Sequence, residues 1–149
     1  MPAPPPTLRA RALKALARRE HTRQELQAKL QPFAENPDEL EPLLDDLEKR
    51  GWLSEARFVE QLTTVRRRRF GAARIVHELR EKGVSETALA AAQSRLKDSE
   101  MDAARAVWKK KFGSLPTTLE ERAKQARFLA SRGFSAEVVH AVLKKSCED

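Results

Sequence analysis

The sequence holds one cysteine, no tyrosine, five glycines and aromatic side chains at only 5% of its 149 positions. The lone thiol, Cys147, can close no internal disulfide, so a reducing compartment is expected and with it a cytoplasmic location. Two residues from the C-terminus, it reads as an incidental thiol. No apolar run approaches the ~18–20 residues that span a bilayer, which argues against membrane insertion. The start of the chain also lacks the basic and apolar pattern of an export signal. Pro2, Pro4, Pro5 and Pro6 make residues 1–7 a disordered, proline-rich leader. So few aromatics and glycines disfavour sheets and leave Leu, Val and Ala to build the core of an all-α protein.

Catalytic chemistry is missing as well. His21, His77 and His140 lie far apart in no ligand spacing, and Cys147 has no thiol companion, so no metal site is expected. There is no glycine-rich phosphate loop, no nucleophile elbow and no H-E-x-x-H, and the acidic residues pair on polar helix faces. The expected protein is not an enzyme, needs no cofactor and acts by binding a partner.

What is abundant is charge. Charged residues make up 34% of the chain, the formal net charge is +7, and the pI of about 9.9 favours a polyanionic partner. Helical periodicity runs from Leu8 to Lys145, and its punctuation predicts nine short helices. Thr22 with Glu25 and Thr118 with Glu121 form capping boxes, Asn36-Pro37 a cap and first-turn proline, and Ser54, Ser85, Ser99 and Ser135 further starts. Pro32, Gly51, Gly71, Gly83, Gly113 and Gly133 are stops. The fourth helix aligns Phe58, Leu62 and Val65 on one face.

An internal repeat organises these helices. Lys82-Gly83-Val84-Ser85 matches Arg132-Gly133-Phe134-Ser135, each glycine preceded at four residues by a leucine, Leu79 and Leu129. Extending outward gives three triplets, residues 8–50, 54–96 and 99–145, with residues 146–149 as a C-terminal tail. Each triplet is too small to bury much core alone, so a row of tandem three-helix repeats, elongated and solenoid-like, is expected.

The middle unit is the basic one. Residues 52–97 hold ten basic against five acidic side chains, whereas residues 8–51 hold nine of each. Arg66, Arg67, Arg68 and Arg69 end the fourth helix and Arg74 opens the fifth, more cations than a helix C-terminus needs. Guanidinium forks suit phosphates or an acidic protein surface. Lys109, Lys110 and Lys111 with Arg105 form a second patch, and Arg18, Arg19, Arg23 and Lys29 a third. Against these stands an acidic stretch, Glu35, Asp38, Glu39, Glu41, Asp45, Asp46 and Glu48, several of which the dipole favours in a helix N-terminal half, the alternatives being contact with a basic partner or with the chain's own arginines.

The run Gly51-Trp52-Leu53-Ser54-Glu55-Ala56-Arg57-Phe58, then Arg66 to Arg69, Gly71, Arg74-Ile75, Glu78-Leu79 and Lys82-Gly83-Val84, resembles the signature of the RecX family of bacterial recombination regulators. Leu16 to Thr22 with Glu25-Leu26 and Lys29-Leu30 resembles that family's first unit, and Arg127-Phe128-Leu129 with Arg132 to Ser135 its third. The resemblance covers residues 8–145. It implies three tandem three-helix units and a regulator, monomeric as expected here, of homologous recombination, DNA repair and the SOS response. Such a regulator binds the RecA recombinase filament on single-stranded DNA and inhibits its ATP hydrolysis, strand exchange and co-protease activity. Carried over residue by residue, it implies filament or DNA contact by Arg57, Arg66, Arg67, Arg68 and Arg74; the patch of Lys109, Lys110 and Lys111 joins them on charge. Phe58, Ile75, Leu79 and Gly83 fall at structural positions. Glu55 stands where the family commonly has aspartate, Val59 where a small residue is common and Ala72 where proline is frequent. These departures touch contact details only.

Two other classes fit parts of the sequence. A helix-turn-helix protein on duplex DNA is suggested by Gly83-Val84-Ser85, although its second helix offers few base-reading side chains beyond Gln93, Ser94 and Arg95. An adaptor repeat binding an acidic protein is the other. The row of units makes a measurable prediction: small-angle scattering should give a radius of gyration clearly above the ~15 Å of a compact 149-residue domain, and a value near that figure would refute the row.

Overall fold

A computed structural model describes residues 2–144; Cys147 and the tail at 146–149 lie outside the described residues. Nine α-helices and no strand occur among the described residues. The first unit comprises α1 (Leu8–Arg18), α2 (Arg23–Leu30) and α3 (Leu40–Lys49). The second comprises α4 (Glu55–Arg66), α5 (Ala72–Glu81) and α6 (Glu86–Asp98), and the third α7 (Glu100–Lys111), α8 (Leu119–Ser131) and α9 (Ala136–Leu143). No helix is long and apolar enough to cross a membrane among the described residues.

Local chemistry sets the boundaries. Thr22 and Glu25 make the full capping box of α2, and Ser54, Ser85 and Ser135 each accept an N–H from the first turn they precede. Asn36 and Pro37 start a 3-10 turn that leads into α3. Two starts differ from expectation. Ser99 gives α7 no side-chain cap, because its hydroxyl is turned to the Leu96 carbonyl. Glu121 reaches back to Thr117 instead of Thr118. The fourth helix also stops at Arg66, so Arg67, Arg68 and Arg69 form a turn, and Val65 is 55% exposed instead of continuing the line of Phe58.

Each unit buries its own apolar cluster: Leu26, Leu30, Leu44 and Leu47 in the first, Phe58, Ile75, Leu79 and Leu89 in the second, Ala104, Leu129, Phe134 and Val142 in the third. Every extensive helix pairing lies inside a unit except α6 against its successor α7. The accessible surface of 10247 Å² exceeds the about 7,700 Å² of a compact monomer of this mass, the exposed leader at 2–7 adding to the surface of a row of small cores.

The row is built by one repeated junction. Gly133, in the left-handed region at φ 94°, ends α8 and meets the start of α5, where Gly71 N–H donates to the Arg132 carbonyl at 2.7 Å. A Cβ on Gly71 would lie 2.5 Å from the Gly133 carbonyl, and one on Gly133 would lie 2.6 Å from the Arg74 Cβ. Only glycine permits this approach. Gly83, at φ 88°, repeats the arrangement one unit earlier: it ends α5 and abuts Gln24 at the start of α2, whose Nε2 donates to the Glu81 carbonyl at 3.1 Å. The second helices therefore follow one another tail to head, with carbonyl ends facing amide ends.

His21 sits where the first unit meets the second and is 2% exposed. Its Nδ1 lies 3.0 Å from the Arg19 carbonyl, which can only accept, so Nδ1 carries the proton; buried Nε2 has no partner among the described residues. Burial pushes this imidazole below its ordinary value. The folded state then binds fewer protons than the unfolded chain, so stability is lost as the pH falls below the free imidazole's 6.5. The melting temperature should drop between pH 7.5 and 5.5, and drop less in His21→Asn, which keeps the donor to Arg19 without the titration. The exposed His77–Glu81 pair is common to both proteins and cancels. Parallel curves for the two would contradict the assignment.

Candidate nucleic-acid interface

The turn between α4 and α5 sorts its arginines into two classes. Arg66 forks onto Glu78 with bonds of 2.8 and 3.0 Å, and these bonds, against burial, hold the Glu78 carboxyl below the usual carboxylate range. Arg67 turns inward to Glu100 of α7 at 2.9 Å, the Leu96 carbonyl at 2.6 Å and the Ser99 hydroxyl at 3.1 Å, and only its buried Nε lacks a partner. The Glu100 carboxylate also accepts the Ala72 N–H at 3.1 and 3.2 Å. Gly71 has no side chain with which to cap α5, so a carboxylate from the next unit supplies the cap, where the helix dipole favours an anion.

Arg57 joins the first two units, with Nε on Glu20 at 2.9 Å and a terminal nitrogen on the Gly51 carbonyl at 2.6 Å. Arg74 lies with its guanidinium 4.1 Å from the Phe70 ring centre and donates to the Ser131 carbonyl at 3.3 Å. The acidic α3 is answered from within the chain, by Arg9 and Arg50 on Asp46 and by Arg23 on Asp45 and Glu48.

The remaining cations converge. Arg68 and Arg69, carried outward on the turn, line a cleft of about 280 Å³ with Val107, Lys110 and Lys111 of α7, Phe128 of α8 and Arg132 just past its end. The two basic patches separated by forty residues in sequence thus form one surface across the junction of the second and third units. None of Arg68, Arg69, Lys110, Lys111 or Arg132 forms an ion pair among the described residues, and no carboxylate lines the cleft. Its ring is cation-loaded: Arg132 lies 4.9 Å and Lys111 5.6 Å from the centre of Phe128, and Arg132 also lies 5.5 Å from that of Phe70, outside the cleft. The cleft is open, cationic and without a carboxylate, so it suits an extended polyanion.

Of the residues singled out in the sequence, the cleft gathers Arg68, Lys110 and Lys111, with Arg74 at its edge beside Phe70. Lys109 is exposed on α7 but does not line it. Arg57, Arg66 and Arg67 are held by internal partners. Sequence reasoning left out Arg69, Phe128 and Arg132 as site residues. The last two do stand in a repeated stretch, Phe128 beside Leu129 and Arg132 beside Gly133.

Residues 54–92 match the family model described as RecX, second three-helix domain, and residues 98–143 match RecX, third three-helix domain. The chain is 46% identical over 144 residues to the Regulatory protein RecX of Ralstonia nicotianae, covering 97% of this chain and 91% of that protein. It is 49% identical over 138 residues to that of Leptothrix cholodnii, covering 93% and 88%. The crystal structure of RecX from Lactobacillus salivarius superposes with a TM-score of 0.78 at 16% identity, over 91% of this chain and 92% of that one, a likeness of fold alone.

The division of the arginines can be tested by stability. Arg67→Ala should cost about 3 kcal/mol in urea unfolding, because it strands a buried carboxylate, whereas Arg68→Ala should stay within about 0.5 kcal/mol. Equal effects would contradict the division.

Proposed function

Because the chain belongs to the RecX family, we propose that it regulates a RecA recombinase by binding the filament which that enzyme forms on single-stranded DNA, as a negative regulator of recombination and repair. Binding restrains the filament's ATP hydrolysis, strand exchange and co-protease activity. The observation that carries this is the open cleft between the second and third units, where five unpaired cations and a half-buried ring meet without a carboxylate. Such a surface takes phosphates on its forks and ammonium groups, and planar bases or apolar side chains on its ring. Arg68, Lys110 and Lys111 contact the filament, with Arg69, Arg132 and Arg74 beside them. Arg57, Arg66 and Arg67 serve the same surface from behind by fixing the units that carry it. A rigid row of units can also span more of a helical filament than a compact domain of equal mass.

The test is single-strand-dependent ATP hydrolysis by the cognate recombinase with the protein titrated in. Inhibition is expected well below one molecule per recombinase monomer, and Arg68→Ala/Lys110→Ala/Lys111→Ala should raise the half-inhibiting concentration roughly tenfold, about 1.4 kcal/mol. No inhibition, with a duplex still shifted in a mobility assay, would favour direct duplex binding instead.

A further inference from the structure

The cleft of the third unit has a translational equivalent in each of the others, between that unit's first and second helices. Its four diagnostic positions are Val107, Lys110, Phe128 and Arg132 in the third unit, Leu62, Val65, Glu78 and Lys82 in the second, and Ala15, Arg18, Lys29 and Phe33 in the first. The spacings are the same, three residues on the first helix and four running from the second helix past its end. The middle copy, a cleft of about 390 Å³, has its cations answered by its own carboxylates, Arg66 on Glu78 and Lys82 on Glu25. The first copy differs. It is a cleft of about 260 Å³ floored by Ala15 and Leu30 and rimmed by Arg11, Lys14, Arg18 and Lys29, none of which forms an ion pair among the described residues. Phe33 is 51% exposed at its edge, with the Arg11 guanidinium 3.6 Å from the ring centre. Arg11 and Phe33 also border a neighbouring cleft that Glu35 and Glu39 line, but neither carboxylate lines this one.

From this repetition we infer that the first unit carries a second strand-binding groove, built on α1, α2 and Phe33, which engages single-stranded nucleic acid. The lining side chains offer hydrogen-bond donors and no acceptor. A peptide brings as many donors as acceptors and would leave its N–H groups unanswered, whereas a phosphodiester backbone brings acceptors only. The apolar floor and the Arg11-backed ring suit a stacked base, with the four cations around it placed for phosphates. The two end units then hold one strand at two points, with the charge-compensated middle unit as spacer, and avidity exceeds what either groove gives. The inference rests on the proposed strand contact of the third unit's cleft.

Fluorescence anisotropy with labelled oligothymidylate of 36 nucleotides tests it, using the full chain. Lys14→Ala/Arg18→Ala/Lys29→Ala should weaken binding about tenfold or more and flatten the salt slope by about 2, three phosphates' share on a single strand. Phe33→Ala should weaken binding several-fold with the salt slope unchanged, while Phe33→Trp retains it. Circular dichroism and the melting temperature check that the variants fold, and the exposed positions replaced make that the expected result. Wild-type affinity in the first-unit variants, with loss in Arg68→Ala/Lys110→Ala/Lys111→Ala, would overturn the second groove and leave the proposed function standing. Competition by polyglutamate as effective as by oligothymidylate at matched charge would overturn it in favour of an acidic protein. No binding by the wild-type chain would overturn the second groove together with the strand contact of the third unit's cleft, and leave filament regulation to the ATP hydrolysis test.

Discussion

The Glu100 carboxylate is the interaction on which the rest of the site depends. It stands at the start of α7, caps the glycine-led start of α5 and accepts a terminal N–H of Arg67, so one side chain satisfies donors from both sides of the turn after α4. With Arg67 held inward, the turn after α4 must carry Arg68 and Arg69 outward, toward Lys110 and Lys111. The same contact sets the third unit's register against the second, and with it the approach of Gly133 to Gly71 that brings Arg132 and Arg74 around Phe70. The cationic surface is a by-product of how two small cores are locked together.

The repeat explains why so basic a chain is not basic everywhere in the same sense. At the junction of the first and second units the charges neutralise one another: Arg57 with Glu20, Lys82 with Glu25, Arg66 with Glu78. On α3 they do so again. The excess that gives the chain its net charge of +7 is left where units lack such carboxylates. Position in the row, more than local density of arginine, decides which cations face a partner.

Helix content and most helix ends were readable because they are local chemistry: capping boxes, serine starts and left-handed glycines act within five residues. Leu79-Gly83 and Leu129-Gly133 even disclosed the repeat. The site was legible only in part, because a run such as Arg66 to Arg69 looks uniform in sequence while a helix end gives each member a different direction. Arg67 points at a carboxylate thirty-three residues on, and nothing local announces it. Phe128 and Arg132 were visible as repeat residues but not as neighbours of Arg68, since that adjacency arises from docking of units. Arg11, Lys14 and Phe33 passed unnoticed for the same reason: they meet only when α1 packs on α2.

The central claim is that the outward cations at the junction of the second and third units meet a strand while Arg67 and Glu100 hold the scaffold. Titrating an isotope-labelled sample with oligothymidylate and following backbone and guanidinium resonances tests it directly. The account predicts shifts at Arg68, Arg69, Lys110, Lys111 and Arg132, with the Arg67 guanidinium unmoved. Shifts confined to α3 or α9, or a displaced Arg67 resonance with a silent cleft, would contradict it.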